Sequence, residues 1–321
     1  MSSRRWRTVT MQVIVLFAIS ACSLWSGEQA RQAPALERNT LRVVVGNPIE
    51  SAPLRMATAD GLFERAGLRI ELIEQAAPDD GLTKLTSGEA DVAFASDFAL
   101  FRAATQGLPL QLQGEAYTAG ANSMALMILP DSSYDKPAAK RSPRIAVDTL
   151  DGLGTLTSRS ALATAGVAPE KIKFVQRDPG EMMRALQKGE ADAAWMVEPH
   201  ITTAEEKLGA RVLTDTARGA TTEFPMSAYA ATEAFAKQNP NLLAEFRRLL
   251  GLAQQRADDP AAVRKALPSF AGIDGNTASL VALGTYPTSL SGVRLQRVAD
   301  LMHGSGALST RLDVQSLLPG H

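Results

Sequence analysis

The chain has 321 residues, enough for two domains, and its 33 lysines and arginines nearly balance its 34 aspartates and glutamates. Hydrophobic residues make up 45% of the chain and charged residues 21%, which is typical of a folded protein and excludes a wholly disordered one. The absence of a basic run predicts no nucleic-acid partner, and one cysteine with three histidines excludes an internal disulfide and argues against a metal site.

The N-terminus has the order of an export signal. Three arginines within the first seven residues precede an apolar stretch at 13–19 that is too short to span a bilayer. The sequence Ile19-Ser-Ala-Cys22 resembles a bacterial lipobox, in which the cysteine is lipidated and becomes the mature N-terminus. We therefore predict a signal peptide over 1–21, a lipid on Cys22 and a flexible tether over 22–40. An ordinary signal peptide with a chance cysteine is the alternative.

The tetrapeptide Gly-Glu-Ala-Asp occurs twice, at Gly88–Asp91 and at Gly189–Asp192, a spacing of 189 − 88 = 101 residues. Each copy follows a helical pattern and precedes an apolar run typical of a buried strand. The surrounding order is shared as well: strand, helix, glycine, strand, helix, tetrapeptide, strand. Two similar α/β units in one chain predict two lobes that close around a ligand.

The remaining pattern predicts alternating strands and helices. We expect strands over 41–45, 69–73, 91–95, 125–128, 144–147, 171–175, 191–195 and 226–231, and helices over 53–65, 79–87, 152–165, 180–188, after Asn239 and before Gly304. This alternation predicts an α/β fold in which each lobe is a mainly parallel sheet flanked by helices. Polar stretches with prolines at 131–143 and 217–227 predict two crossings between the lobes. We assign 41–140 plus 228–321 to lobe 1 and 141–227 to lobe 2.

Parallel α/β sheets bind ligands outside the carboxyl ends of their strands. Polar residues follow those ends at predicted helix starts, where free N–H groups and the helix dipole favour small anionic groups. The candidate ligand-binding residues are Asn47, Ser51, Ser96, Asp97, Asn122, Ser123, Asp148, Gly154, Thr155, Glu198 and Ser227. Plain helix capping is the alternative for each residue taken singly, whereas their shared rim favours binding for the set.

Two of these candidates are carboxylates at equivalent points just after the two repeat strands. Asp97 and Glu198 would repel a bare oxyanion if both were ionised and close to it. A ligand with an amine, amide or ring N–H would instead use them as acceptors. Phe98, Tyr117 and Trp195 are candidates for an aromatic wall, with core packing as the alternative.

Signatures of catalysis are missing from the sequence. It contains no P-loop and no Gly-x-Ser-x-Gly elbow, and the segment 152–157 lacks the third glycine of a dinucleotide loop. We therefore expect no enzyme, no cofactor and no metal.

The body of the chain, roughly 41–318, resembles the extracytoplasmic solute-binding proteins of ABC importers, in the nitrate, sulfonate, taurine and thiamine-precursor group. The resemblance is carried by Ala59-Asp-Gly-Leu-Phe-Glu-Arg-Ala-Gly67-Leu, Leu85-x-x-Gly-Glu-Ala-Asp91-Val-Ala, Leu186-x-x-Gly-Glu-Ala-Asp192-Ala-Ala-Trp-Met-Val-Glu198-Pro199, Gly209-Ala-Arg-Val-Leu-Thr-Asp215 and Leu295-Gln-Arg-Val-Ala-Asp-Leu-Met302. Of the family's cleft positions, the Glu198-Pro199 loop carries over directly, whereas 47–51 departs from the aromatic or threonine-rich versions common there.

The resemblance implies a two-lobed periplasmic binding protein fold of type 2, with the ligand held at the hinge. It implies delivery of a small organic solute or oxyanion to an ABC permease and its ATPase. Together with the export signal and the lipobox, we expect a monomeric, lipid-anchored protein outside the cytoplasm. A sensing lipoprotein without a transport role, or an enzyme of the thiamine-pyrimidine type, is the alternative.

Overall fold

The structure is a computed structural model that describes residues 35–77 and 80–320. The predicted signal peptide, the predicted lipidation site Cys22 and most of the predicted tether lie outside these residues. From Leu36 onward, the described residues form one compact unit. Within the described residues, no helix is both long and apolar enough to cross a membrane.

Strands and helices alternate along this unit. The first elements are β1 (Thr40–Val45), α1 (Ala52–Ala59), α2 (Leu62–Arg65), β2 (Arg69–Glu74), α3 (Asp80–Ser87), β3 (Ala93–Ser96), α4 (Asp97–Thr105), β4 (Leu110–Thr118) and β5 (Met124–Ile128). The next are β6 (Arg144–Val147), α5 (Leu153–Thr164), β7 (Lys173–Gln176), α6 (Met182–Gln187), β8 (Ala193–Val197), α7 (His200–Leu208) and β9 (Arg211–Asp215). The last are β10 (Pro225–Thr232), α8 (Glu233–Gln238), α9 (Pro240–Arg256), α10 (Pro260–Ala266), α11 (Gly275–Leu280) and α12 (Gly292–Gly304). Each predicted strand overlaps an observed one.

The ten strands of the described residues form two sheets in which the strands follow the same spatial order. In the first sheet, β1 pairs with β2, an isolated parallel bridge between Val43 and Val92 joins β1 to the start of β3, and β10 lies antiparallel between β3 and β4. The second sheet has the order β7-β6-β8-β5-β9, with β5 antiparallel between β8 and β9. Both sheets thus contain one antiparallel strand at the fourth place. This confirms the predicted α/β fold with mainly parallel sheets flanked by helices.

The passages between the two sheets lie only partly where the sequence suggested. The chain leaves the first sheet at 119–123, between β4 and β5, and returns at 216–224, between β9 and β10. The expected crossing at 131–143 is wrong, because that segment joins β5 to β6 within the second sheet. The lobe bounds stay a prediction.

One predicted helix is interrupted. The expected helix at 53–65 is two helices, α1 and α2, because Gly61 has a left-handed backbone with φ +68° that no continuous helix contains. The last helix runs through the glycine predicted to follow it, and the left-handed residue after α12 is Gly306, with φ +80°.

In each copy of the doubled tetrapeptide, the glycine follows the end of a helix and the aspartate connects two segments of a sheet. Gly88 and Gly189 are left-handed, with φ +80° and +66°, and follow α3 and α6. Asp91 accepts the backbone N–H of Arg42 at 2.8 Å, and Asp192 accepts that of Arg144 at 2.8 Å. Asp91 therefore ties the segment before β3 to β1, and Asp192 ties the segment before β8 to β6, at the end of each sheet away from the carboxyl ends.

The helical stripes predicted as core are buried. Leu242, Phe246, Leu249, Leu250 and Ala253 of α9 are each at most 2% exposed. They pack with the first strands of the chain rather than facing an open surface. The apolar residues of α12 are likewise buried, so neither helix offers a ligand surface from its stripe.

Candidate functional site

A cavity of about 390 Å³ lies at the carboxyl ends of strands from both sheets. Its volume falls in the range of small-molecule sites. The loops after β1, β2 and β3 form one side, and the loops after β6, β7 and β8 form the other. The polar residues on the wall are Asn47, Glu50, Gln75, Ser96, Arg102, Asp148, Thr149, Asp151 and His200. This is the position that an open parallel sheet offers to a ligand.

Three predicted ligand-binding residues line this cavity: Asn47, Ser96 and Asp148. Asn47 shapes its own turn, since its side-chain oxygen accepts the Ile49 N–H at 2.8 Å. Ser96 caps α4 by accepting the Ala99 N–H at 3.1 Å, so its helix-capping role is also present. Ligand binding by these residues stays a prediction.

Gly154 lies directly behind the wall, in the first turn of α5. A Cβ atom at this position would lie 2.7 Å from Cε3 of Trp195, which lines the cavity, so only glycine lets α5 approach the indole this closely. Thr155 is buried, and its hydroxyl donates to the Thr149 carbonyl oxygen at 3.2 Å. Both residues build the wall rather than form its surface.

Four further candidates belong to turns or to buried polar contacts. Ser51 donates its hydroxyl to the Asn47 carbonyl oxygen, and Ser123 donates to the Gly120 carbonyl oxygen in the passage between the sheets. Asn122 is exposed in the same passage with φ +62°. Ser227 of β10 donates its hydroxyl to the Glu50 carboxylate. None of the four lines the cavity.

The Glu198 carboxylate is also hydrogen-bonded to other groups of the same chain. It is 3% exposed and accepts the Thr202 N–H at 3.1 Å, the Thr202 hydroxyl at 2.9 Å and the Ala282 N–H at 2.9 Å. Its side chain thus caps α7 and holds the segment after α11. Burial raises the pKa of Glu198, against the effect of these hydrogen bonds.

Asp97 lies behind the wall at the start of α4 and is 1% exposed. Neither carboxyl oxygen has a hydrogen-bond partner among the described residues. Burial, and then the charges of Glu115 and Glu50, raise the pKa of Asp97 well above its usual range. The structure therefore does not bring the carboxylates of Asp97 and Glu198 together across the cavity.

The sequence analysis missed Glu50, which lies in the turn between two of the predicted residues. Glu50 is 8% exposed and lines the cavity, and its Oε2 accepts the hydroxyl of Ser227. Burial raises the pKa of Glu50 to about 7, with Ser227 lowering it and the charge of Asp148 raising it further. The carboxyl group thus titrates near neutral pH rather than in the acidic range.

Gln75, Arg102 and His200 are further wall residues that the sequence did not single out. The Gln75 amide donates to the Phe94 carbonyl oxygen at 2.9 Å, so its orientation is fixed. Burial lowers the pKa of His200, which leaves its imidazole neutral at neutral pH. The aromatic wall consists of Phe94, Phe98 and Trp195, whereas the suggested Tyr117 lies elsewhere.

Two hydrogen bonds join the two sides of the cavity. The Asn47 side-chain amide donates to the Glu198 carbonyl oxygen at 2.9 Å. The Arg102 guanidinium donates to the Asp151 carbonyl oxygen. Groups from both sheets therefore meet around one space. No cluster of three or more His, Cys, Asp or Glu within 35–77 and 80–320 is arranged to hold a metal ion.

A family model described as the NMT1-like family matches residues 34–269. The chain belongs to this family. The taurine-binding periplasmic protein of Escherichia coli (strain K12) is 25% identical over 271 residues, which are 79% of this chain and 81% of that protein.

Solved structures share the fold of this NMT1-like chain. An alkanesulfonate-binding protein from Xanthomonas axonopodis pv. citri, bound to MOPS, has a TM-score of 0.73 at 19% identity and covers 88% of this chain and 99% of its own. A Candida albicans protein described by the generic periplasmic binding protein fold has a TM-score of 0.70 at 15% identity, covering 87% and 95%. The expected periplasmic binding protein fold is confirmed. The relatives named for a ligand are binding proteins rather than enzymes.

Proposed function

We propose that this protein is the solute-binding component of an ABC importer and holds a small organic solute in the cavity between its two sheets. The observation that carries the proposal is the position of the cavity: carboxyl ends of strands from both sheets supply its wall. The taurine-binding and alkanesulfonate-binding relatives support a solute of similar size. A site that binds a solute without transforming it explains this cavity, and no catalytic step needs to be assumed.

The expected closure around the ligand follows from the fact that two sheets build the cavity wall. A ligand that contacts both sides favours the arrangement in which the sides lie together, because only that arrangement makes both sets of contacts. The bond from Asn47 to Glu198 and the bond from Arg102 to Asp151 stabilise the same arrangement. A permease that recognises this arrangement would then distinguish loaded receptors from empty ones.

The location outside the cytoplasm is part of the same proposal. The export signal and Cys22 are expected to place the protein on the outer side of the membrane through a lipid. Metabolic labelling with a radioactive fatty acid tests this in cells: the wild-type chain should be labelled, and Cys22→Ser should be unlabelled and released into the soluble fraction. Equal labelling of both chains would contradict the lipid assignment.

Ligand binding by the purified full chain is the primary test. Taurine, alkanesulfonates, nitrate and thiamine-precursor pyrimidines would be screened by thermal unfolding and by calorimetric titration. A ligand present at 100 times its Kd stabilises the folded state by about 2.7 kcal/mol, which is easily detected. Saturable binding with one site supports the proposal. Turnover of a bound compound, or no binding by any of them, would contradict it.

A further inference from the structure

Glu50 is a buried acid that has no ion-pair partner among the described residues. It is 8% exposed, and one carboxyl oxygen accepts the Ser227 hydroxyl. No other described residue bonds to the Glu50 side chain, and it takes part in none of the ion pairs of the described chain. A carboxylate placed in this way is costly unless a counter-charge reaches it.

Neither cation close to this part of the wall acts as that partner. Arg55 on α1 bonds to the Glu74 carboxylate, the Ser51 hydroxyl and the Gly46 carbonyl oxygen. Arg102 on the wall donates to the Asp151 carbonyl oxygen. The positive groups in the neighbourhood are therefore occupied, while the acidic group faces the cavity.

A second acid faces the same cavity from the other sheet. Asp148 follows β6, whereas Glu50 follows β1, and the charge of Asp148 acts on Glu50 across the space between them. Asp151 adds a third acidic side chain to the wall, against the single guanidinium of Arg102. The formal charge of these wall residues is −3 + 1 = −2 when all are ionised. A simple anion would meet repulsion here, and a cation would relieve it.

We propose that the solute carries a protonated nitrogen, as an ammonium or amidinium group, and that this nitrogen lies between Glu50 and Asp148. This inference rests on the proposed function and narrows its ligand class to organic cations and zwitterions with such a group. The aromatic rings of Phe94, Phe98 and Trp195 supply the apolar remainder of the wall. Contact of one nitrogen with acids from both sheets also gives the ligand a direct means of holding the two sides together.

The pH dependence of ligand affinity should report on this arrangement. Around Glu50 and the cavity it faces, the titratable and charged groups are Asp148 and Asp151 after β6, Asp97 and Arg102 on α4, His200 on α7, Tyr117 on β4, Tyr229 on β10, Tyr286 before α12 and Arg55 on α1. Of these, burial raises the pKa of Asp97 and of each tyrosine above its usual value and lowers the pKa of His200. Ionisation of Glu50 is thus the change that a cation would drive near pH 7. Its affinity should rise with pH, and that of an anion should fall.

The test compares pairs of probes that differ by one amino group. Taurine and ethanesulfonate form one pair, and 3-aminopropanesulfonate and propanesulfonate form another, with nitrate as a simple anion. The protein is the full chain with Trp6→Phe and Trp25→Phe, which leaves Trp195 as the only tryptophan and its fluorescence as the readout. We expect an amino-bearing member to bind at least tenfold more tightly than its partner. Its affinity should increase between pH 6 and pH 7 by up to about tenfold.

Variants separate the role of Glu50 from general effects. Glu50→Gln keeps an oxygen for the Ser227 hydroxyl and should weaken binding of the amino-bearing probe at least tenfold, with its pH dependence lost. Glu89→Gln, at an exposed site in the doubled tetrapeptide, is the matched control and should bind as the wild type does. Asp148→Asn is the second variant, should Glu50→Gln fail to fold, and should weaken the same probe.

The outcomes distinguish this inference from the proposed function. Equal or tighter binding of nitrate or of the sulfonates without nitrogen would overturn the inference and leave the solute-binding proposal standing. An affinity that falls as pH rises, or an unchanged affinity in Glu50→Gln, would also overturn it. Failure of every probe to bind at any pH would overturn both.

Discussion

The side-chain amide of Asn47 donates a 2.9 Å hydrogen bond to the main-chain carbonyl oxygen of Glu198. This bond joins the loop after β1 to the loop after β8, and so it crosses the cavity. The same side chain accepts the Ile49 N–H through its oxygen, at 2.8 Å. One amide group thus orders a turn on its own side and holds the opposite side.

The two functions of Asn47 can be separated. Asn47→Ser keeps an oxygen that can accept the Ile49 N–H in such a turn but is too short to donate to Glu198, so the turn should persist while the cross-cavity bond is lost and no charge is added to the wall. We expect about a five- to tenfold loss of ligand affinity, because one hydrogen bond contributes about 1 kcal/mol. Calorimetric titration measures it. The same change at Asn122, which is exposed and does not line the cavity, is the control, and equal losses at both positions would contradict the assignment.

Asp97 should make the stability of the wild-type protein decline with rising pH. Its pKa is raised in the folded state, so its contribution is fully present below the unfolded pKa and is lost as pH rises toward the folded pKa. Asp97→Asn lacks this effect. The difference in unfolding free energy, variant minus wild type, should therefore grow as pH rises above about pH 4, by at most about 1.4 kcal/mol per pH unit. Urea titrations at pH 4.5 and pH 7 measure it, and a constant difference would contradict the buried, unpaired acid.

The aspartates of the doubled tetrapeptide should contribute to stability and not to binding. Asp91 is 3% exposed and bonds the guanidinium groups of Arg38 and Arg42, at 2.8 and 2.7 Å, as well as the Arg42 N–H. Asp91→Ala should lower the unfolding free energy by about 3 kcal/mol, because it removes the carboxylate from this network. Ligand affinity of the folded protein should be unchanged, and a selective loss of binding would contradict the structural role.

Asp192 provides the corresponding test at low pH. Burial acts to raise its pKa, but hydrogen bonds from Arg144 and Lys140 outweigh burial and lower the pKa to about 2. The stabilisation is present above about pH 4 and is lost as pH falls from 4 toward 2, by about 2 kcal/mol in total. Asp192→Asn should remove this part of the pH dependence in urea titrations between pH 2 and pH 5. An identical acid profile in the variant would contradict the shifted pKa.

The contact between Gly154 and Trp195 predicts a steric effect. In Gly154→Ala, the new Cβ would lie 2.7 Å from the indole, so α5 or the ring must move. The cost should be about 1–3 kcal/mol, as for overpacking elsewhere in cores. A shift in Trp195 emission in the single-tryptophan background reports the movement. Gly180→Ala is the control, since no atom lies within 4 Å of its added Cβ, and it should leave both emission and stability unchanged.

The strands and the repeat were predictable because their signals are local. Short apolar runs mark β1, β3, β6 and β8, and the left-handed Gly88 and Gly189 end their helices as the pattern suggested. The sequences of β10 and β5, the fourth strands of the two sheets, did not indicate which strands they pair with. β5 was expected in the first lobe, but pairing with β8 and β9 depends on residues far along the chain.

The site was predicted at the level of loops but not of individual acids. Ser96 and Asp97 are neighbours after one strand, yet one lines the cavity and the other is buried behind it, because α4 starts immediately and sets the direction of each side chain. Glu50 gives the opposite case. Its environment depends on Ser227, 177 residues away in the chain, and on burial that no local pattern reports.

The most direct test of the central claim is a titration of the single-tryptophan protein with the amino-bearing probes, the sulfonates without nitrogen and nitrate, repeated with Ala99→Trp. Ala99 lies on the cavity wall, and a tryptophan there should fill the space without removing the N–H that Ser96 caps. Calorimetry is the common readout for both proteins. We predict one saturable site in the parent and no binding by Ala99→Trp. No binding by the parent, or equal binding by both proteins, would contradict a solute site in this cavity.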